Sequence, residues 1–158
     1  FQKASAFLER CKGSVIDPGY LDNPWGRRRH FPYTDSRKLI SAMKREATNF
    51  PIQSTVGDAM SQAIINFIDY RRDTDMQYRL VLSVHDAVML EVPIPEIPRV
   101  CGEVIPLCMD DAVEVPGCGL NYKSDYPDIS THWGRNLSPE KLLELGVARE
   151  WCGLDDGN

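Results

Sequence analysis

Two constellations in this sequence have the residue types and spacing to do chemistry. Residues 80–84 and 87–92 are rich in aliphatic side chains, and only His85 and Asp86 separate them. A two-residue hairpin turn favours Gly, Asn or Asp, because the backbone there usually takes positive φ. His-Asp instead places two titratable side chains at the tip of two largely apolar strands. A carboxylate half-buried there without a partner costs stability, and a hard divalent cation prefers carboxylate oxygen, so Asp86 is a candidate Mg2+ ligand. The competing reading is a turn that faces water, with Asp86 accepting local backbone N–H groups. The second constellation is Arg45, Asn49 and Gln53, which stand at i, i+4 and i+8 and form one stripe along a helix. A guanidinium and two amides in line suit a ligand with phosphates and with donor and acceptor edges, as nucleic acid has. An exposed polar face, or a set of interhelical hydrogen bonds, would also account for them. Arg27, Arg28 and Arg29 form a basic run that, taken alone, reads as a solvated loop followed by a helix face.

The elements that must position these residues follow from periodicity and breakers. Ala4, Phe7, Leu8 and Cys11 predict a helix over residues 1–13, ending near Gly13. Asp17-Pro18-Gly19, Asn23-Pro24, Gly26 and Pro32, with Tyr20, Leu21 and Trp25 between them, predict a short β-hairpin carrying the arginine run at its tip or flank. A helix is expected over 35–50, capped by Asp35 or Ser36 and apolar at Leu39, Ile40, Ala42 and Met43. Pro51 is expected to bend or restart it. Ile52, Val56, Met60, Ala63, Ile64 and Phe67 then continue at a period near 3.6, opposite a polar face of Ser54, Asp58, Ser61, Gln62 and Asp69. After the 80–92 hairpin, a helix over about 96–112 distorted by Pro106, a strand within 113–122 and a helix near 139–150 capped by Ser138 complete the order. The fold class is α+β, with an antiparallel hairpin or sheet packed against helices.

Composition bounds the rest. The chain has 158 residues, 42% hydrophobic and 26% charged, with 11 Gly and 11 Pro, enough apolar material for a core and too little bias for a disordered or fibrous chain. No run approaches the ~20 apolar residues of a membrane span, and the first residues lack a secretory signal. Phe1 stands where an initiator Met would, which suggests a processed product or a fragment. Five cysteines without a CxxC pair argue against both a disulfide framework and a zinc knuckle, and so for an intracellular, cytoplasmic protein. The net charge of −5 conceals ten Lys/Arg against five Asp/Glu in residues 1–50 and eight against eighteen in residues 51–158. Phosphate affinity follows the local field, so the acidic total does not exclude nucleic acid.

Taken in order, three motifs resemble the C-terminal, palm and late-fingers part of a family A DNA polymerase. Gly19-Tyr20 through Gly26-Arg27-Arg28-Arg29 is similar to the family's GY…GRRR stretch. Residues 45–58, REATNFPIQSTVGD, resemble its R-x-A-x-N-x-P-[IM]-Q-G-T-x-A-D helix, with Ser54 and Gly57 replacing the usual Gly and Ala. Residues 82–93, LSVHDAVMLEVP, resemble the palm motif QVHDE, with Ala87 where the family usually has Glu. Trp133-Gly134 is similar to a late NW-G. The resemblance covers about residues 1–135, the expected polymerase portion; residues 136–158 match nothing and are expected to be a tail with a short helix. The family's first palm Asp and its nucleotide-gripping fingers helix have no counterpart here.

The resemblance implies template-directed nucleotidyl transfer, in which a primer 3′-OH attacks a dNTP α-phosphate at two Mg2+ ions about 3.5–4 Å apart. Asp86 would be one metal ligand and His85 would orient the turn near the primer end, so the catalytic candidates are Asp86 and His85. Arg45, Asn49 and Gln53 would line the primer–template duplex, and Arg27, Arg28 and Arg29 would bind phosphate. The remaining ligands would come from an N-terminal polymerase chain or segment, making this the C-terminal part of a split or cleaved enzyme of phage or viral type, in a host cytoplasm. The expected partners are primer–template DNA, dNTP and that segment, with no membrane. The alternatives are a single-subunit RNA polymerase fragment, which shares an HD turn without the following Glu, and a non-catalytic nucleic-acid-binding palm.

Overall fold

The computed structural model describes residues 1–111, 113–117, 119–121, 123–125, 128–132 and 134–152; Cys118 and Trp133 lie outside them. The elements run α1 (Gln2–Gly13), β1 (Tyr20–Asp22), β2 (Arg28–His30), α2 (Arg37–Asp73), β3 (Arg79–Val84), β4 (Ala87–Glu91), a helical stretch over 94–111 that includes α3 (Ile97–Arg99), short strands β5 (Glu114–Val115) and β6 (Leu120–Asn121), and α4 (Pro139–Glu144). The chain is α+β, as expected. It divides into two compact units, Phe1–Ala59 with Val115–Gly119, and Met60–Glu114 with Leu120–Asn158.

In the first unit, α1 buries Cys11 and half-covers Phe7. β1 and β2 form the expected antiparallel hairpin, with Leu21 opposite Arg29 and Asp22 opposite Arg28. Val15, Phe31 and Ala47 make the core here, with Leu21 and Met43 against it. Ser36 caps α2 by accepting the Leu39 N–H over a long 3.5 Å.

The helix does not restart at Pro51, since α2 passes through it as one element. Proline removes one helical N–H, the one that would reach Ala47 O; on the following turn Ser54 donates its hydroxyl to Phe50 O at 2.6 Å and Thr55 donates to Pro51 O, each four residues back. Ile52, expected to face the core, is 60% exposed, while Ser54 and Asp58, expected on the solvated face, are half-buried.

In the second unit, Phe67, Met76, Tyr78, Val100, Val104, Ile105 and Cys108 form one core. The Tyr78 hydroxyl, fully enclosed, donates to Phe67 O at 2.6 Å while the two rings meet edge to face. β3 and β4 pair as the expected hairpin, with Leu80 opposite Leu90 and Val84 opposite Ala87, and with the register shifted at Val81. Leu80, Val88 and Leu90 sit on the core, whereas Leu82, Val84 and Met89 are exposed.

The helix expected over 96–112 is mostly not α-helical. A 3-10 turn (Ile94–Glu96) and the single α turn lead into wide π turns at Val100–Val104 and Pro106–Asp111. Pro106 offers no N–H to the preceding turn, the Ile105 N–H reaches back to Val100 O, and Asn66 Nδ2 supplies a donor to Cys108 O at 2.9 Å. Burial in this core pushes the Cys108 thiol up to about 11. α4 is capped by Ser138 as expected but stops at Glu144 rather than near 150. Gly146, at φ +82°, ends it, and the Val147 N–H returns to Leu142 O. Leu142, Val147 and Cys152 close against Ile97 and Cys101. No helix among the described residues is long and apolar enough to cross a membrane.

Candidate functional site

The candidate residues fall in both units, and each group is built differently. In the second unit, His85 and Asp86 alone join β3 to β4, and both are exposed. His85 has φ +54°, and it is the one non-glycine residue with positive φ among those described. Positive φ at only the first central position is the sign pattern of a II′ turn, where glycine is preferred. A β-carbon in this region costs roughly 1–2 kcal/mol, so the turn holds an imidazole where a cheaper residue would serve the backbone better. Among the described residues no side chain or backbone group bonds either side chain. Among the described residues no group of three His, Cys, Asp or Glu is placed to hold a metal ion. Asp86 therefore fits a cation as one exposed, unclaimed carboxylate contributed to a site, not as a complete cage.

In the first unit, Arg45, Asn49 and Gln53 are all exposed on α2 and share the stripe expected of them. Among the described residues Arg45 meets no carboxylate; its Nη1 donates to Ser41 Oγ, one turn earlier, at 3.2 Å. The arginine run behaves differently, for each of its three guanidiniums meets an acid. Arg28 is bidentate on Asp22, through Nε at 2.7 Å and Nη2 at 2.8 Å, and lies 3.8 Å over the Tyr20 ring. Arg29 meets Glu46 of α2 at 2.6 Å, with both side chains half exposed. Arg27 grips both oxygens of Asp58, through Nε at 2.9 and 3.1 Å and through Nη2.

Around Asp58 lies a network that the sequence reading did not assign. Asn23, 5% exposed, donates from Nδ2 to Asp58 Oδ2 at 2.6 Å and to Ser54 Oγ at 3.0 Å. Its Oδ1 accepts from the Trp25 and Arg27 N–H groups at 3.0 and 2.9 Å, closing the turn that Gly26 completes at φ +81°. The Arg27 guanidinium, and after burial the Asn23 amide, act on Asp58, and the balance holds its carboxyl below the ordinary range. The available signal was Asn23-Pro24 opening a turn, with Ser54 and Asp58 at i, i+4 on one helix face.

With this geometry in hand, comparison with known proteins defines the class. The profile of DNA polymerase family A matches residues 1–124. The chain is 30% identical over 125 residues to DNA polymerase I of Pseudomonas aeruginosa, covering 74% of this chain and 14% of that protein. It is 38% identical over 115 residues to DNA polymerase I of Geobacillus stearothermophilus (72% and 13%) and 32% identical over 133 residues to the thermostable DNA polymerase I of Thermus aquaticus (78% and 16%). Among solved structures it is similar to the POL domain of Pol1 from M. smegmatis in complex with DNA primer-template and dNTP, with TM-score 0.59 and 30% identity, covering 66% of this chain and 18% of that one. The chain belongs to DNA polymerase family A. It spans 13–16% of the length of the three relatives named here. These relatives are bacterial, and they lend no support to the expected phage or viral source.

Proposed function

We propose that this chain is the C-terminal part of a DNA-directed DNA polymerase, supplying one metal-ligand carboxylate and a primer–template contact face. The observation that carries the reading is the row Arg45, Asn49, Gln53: solvent-facing, in register, and without an acidic partner beside a hairpin whose arginines all have one. An unneutralised guanidinium followed by two amides suits a duplex, whose phosphates are anionic and whose minor groove presents acceptors at every correct pair. Support comes from the solved relative, which holds DNA primer-template and dNTP.

In this reading Arg45 binds the backbone or a base-edge acceptor, held at its reach by Ser41. Asn49 and Gln53 continue the track one and two turns on. Arg28 and Arg29 reach phosphates by exchanging Asp22 and Glu46, exposed pairs that contribute little where they stand. Asp86 would hold Mg2+, which when bound neutralises phosphate charge and lowers the barrier to in-line displacement. His85 orients the turn and faces the primer end. The second aspartate and the dNTP-gripping groups belong to an N-terminal segment or chain, in a split or continuous enzyme acting inside the cell. The exposed outer side of the β3–β4 hairpin, with Leu82, Val84 and Met89, is the surface such a segment would cover. Residues 1–135 form the polymerase portion and 136–158 a terminal extension.

The test is primer extension with Mg2+ and dNTPs after mixing the chain with a family A N-terminal segment. Extension should appear, and Asp86→Ala should abolish it at unchanged melting temperature. An active Asp86→Ala complex overturns the metal-ligand assignment. One observation favours a second reading: Ala87 stands where a second carboxylate is usual, as a nucleic-acid-binding palm without chemistry would allow. Duplex binding without extension, in every mixture, would establish that reading instead.

A further inference from the structure

We propose that Asp58 is a positioning residue for the nucleic-acid face, and that Arg27 is its pin rather than a phosphate contact. The inference rests on the reading above and deepens it. The three arginine pairs are not equivalent. Asp22 and Glu46 are well exposed, so a phosphate can replace either at small cost, whereas the Asp58 side chain is only 12% exposed. Asp58 also takes a third partner, Asn23, and every polar atom of the Asn23 side chain is in use. Removing Arg27 to a phosphate would leave a nearly buried carboxylate facing one amide, a loss the other two arginines do not face.

The same network also sets geometry. Asn23 shapes the turn through its Oδ1 and docks it on α2 through its Nδ2. The docking residues, Ser54 and Asp58, begin one residue after Gln53, the end of the exposed row. Arg28 and Arg29 follow Arg27 directly in β2, so wherever the pin fixes Arg27 it also fixes their distance from Arg45, Asn49 and Gln53. Asp58 thus acts on the duplex through the hairpin it holds.

The experiment is titration of a fluorescein-labelled primer–template duplex with the full chain, by anisotropy, at several KCl concentrations. Each phosphate neutralised contributes about −0.9 to the slope of log K against log salt. Arg29→Ala, a direct contact, should make the slope shallower by about 1. Asp58→Asn should weaken binding and make the slope shallower by at least as much, because it unpins the hairpin. If Arg27 were a phosphate contact restrained by Asp58, the same variant would free it and steepen the slope, so the sign decides. Asn23→Ala removes the same docking contact without altering any charge, so it should also make the slope shallower, and it carries the test if circular dichroism shows Asp58→Asn unfolded. A steeper or unchanged slope in a folded Asp58→Asn chain, or a steeper or unchanged slope in a folded Asn23→Ala chain, overturns the inference. Wild-type binding with no salt dependence overturns the nucleic-acid reading beneath it.

Discussion

Replacing His85 by glycine should make the protein more stable and less active. The residue sits at φ +54° in the first central position of the β3–β4 turn, where an L side chain costs roughly 1–2 kcal/mol. Glycine removes that cost but has a more disordered unfolded state, returning about 0.5–1 kcal/mol. The imidazole is exposed and bonds to none of the described residues, so no packing or hydrogen bond among them is lost with it. The net expectation is a gain of about 0.5–1 kcal/mol, which for a domain of this size raises the melting temperature by about 1–4 °C. Thermal melts followed by circular dichroism measure this directly, with His85→Ala as the control that keeps the β-carbon and loses the ring. In the reconstituted polymerase, both variants should extend primers more slowly than wild type, since strain retained at a turn is expected to serve the site. A glycine variant that melts lower than wild type would refute the strain argument. One that melts higher yet extends primers at the wild-type rate would refute the functional role of the ring.

Two further expectations follow from the cores of the two units. Tyr78→Phe removes the buried donor to Phe67 O and should cost about 1–2 kcal/mol, seen as a lower urea midpoint at unchanged m-value. Asp58 has its carboxyl lowered by Arg27 and, after burial, by Asn23, so its contribution is present above the unfolded value near 3.9 and is lost as pH falls through the lower folded value. The melting gap between wild type and Asp58→Asn should therefore be full at neutral pH and close below about pH 4; a gap that stays constant with pH would show that the charge on Asp58 is not what stabilises it.

Much of the positioning frame was legible because the signals were local. Two aliphatic runs separated only by His85-Asp86 specify a hairpin whatever surrounds it, and the Asn23–Gly26 turn chemistry does the same for β1 and β2. Spacing placed Arg45, Asn49 and Gln53 on one exposed stripe. What local signals could not reach were choices made by packing. Pro51 reads as a bend or a restart, yet α2 runs through it as one helix. Ser54 and Asp58 read as solvated polar residues until Asn23 and Arg27, some thirty positions earlier in the chain, come down on them. A hydrophobic period cannot announce a polar interface.

The arginine run shows most clearly why residue type is a weaker guide than pairing. Three consecutive cations suggest a phosphate grip, yet each has an intramolecular acid and the only cation on the exposed row without one is Arg45. Lone positive charge, not charge density, is what a polyanion can claim without first breaking something. The same reasoning applies to the acidic turn. Among the described residues Asp86 meets no arginine, lysine or backbone donor, while Asp22, Glu46 and Asp58 are all matched. A carboxylate left unpaired at a turn whose backbone would prefer glycine is consistent with a counter-charge brought from outside, which is the role a shared metal site would give it. Ala87, beside it, has no ligating side-chain atom, so on the proposed reading the remaining ligands come from beyond the β3–β4 hairpin. That hairpin pairs only with itself among the described residues and leaves Leu82, Val84 and Met89 uncovered, the condition in which a two-stranded ribbon gains most from a neighbour.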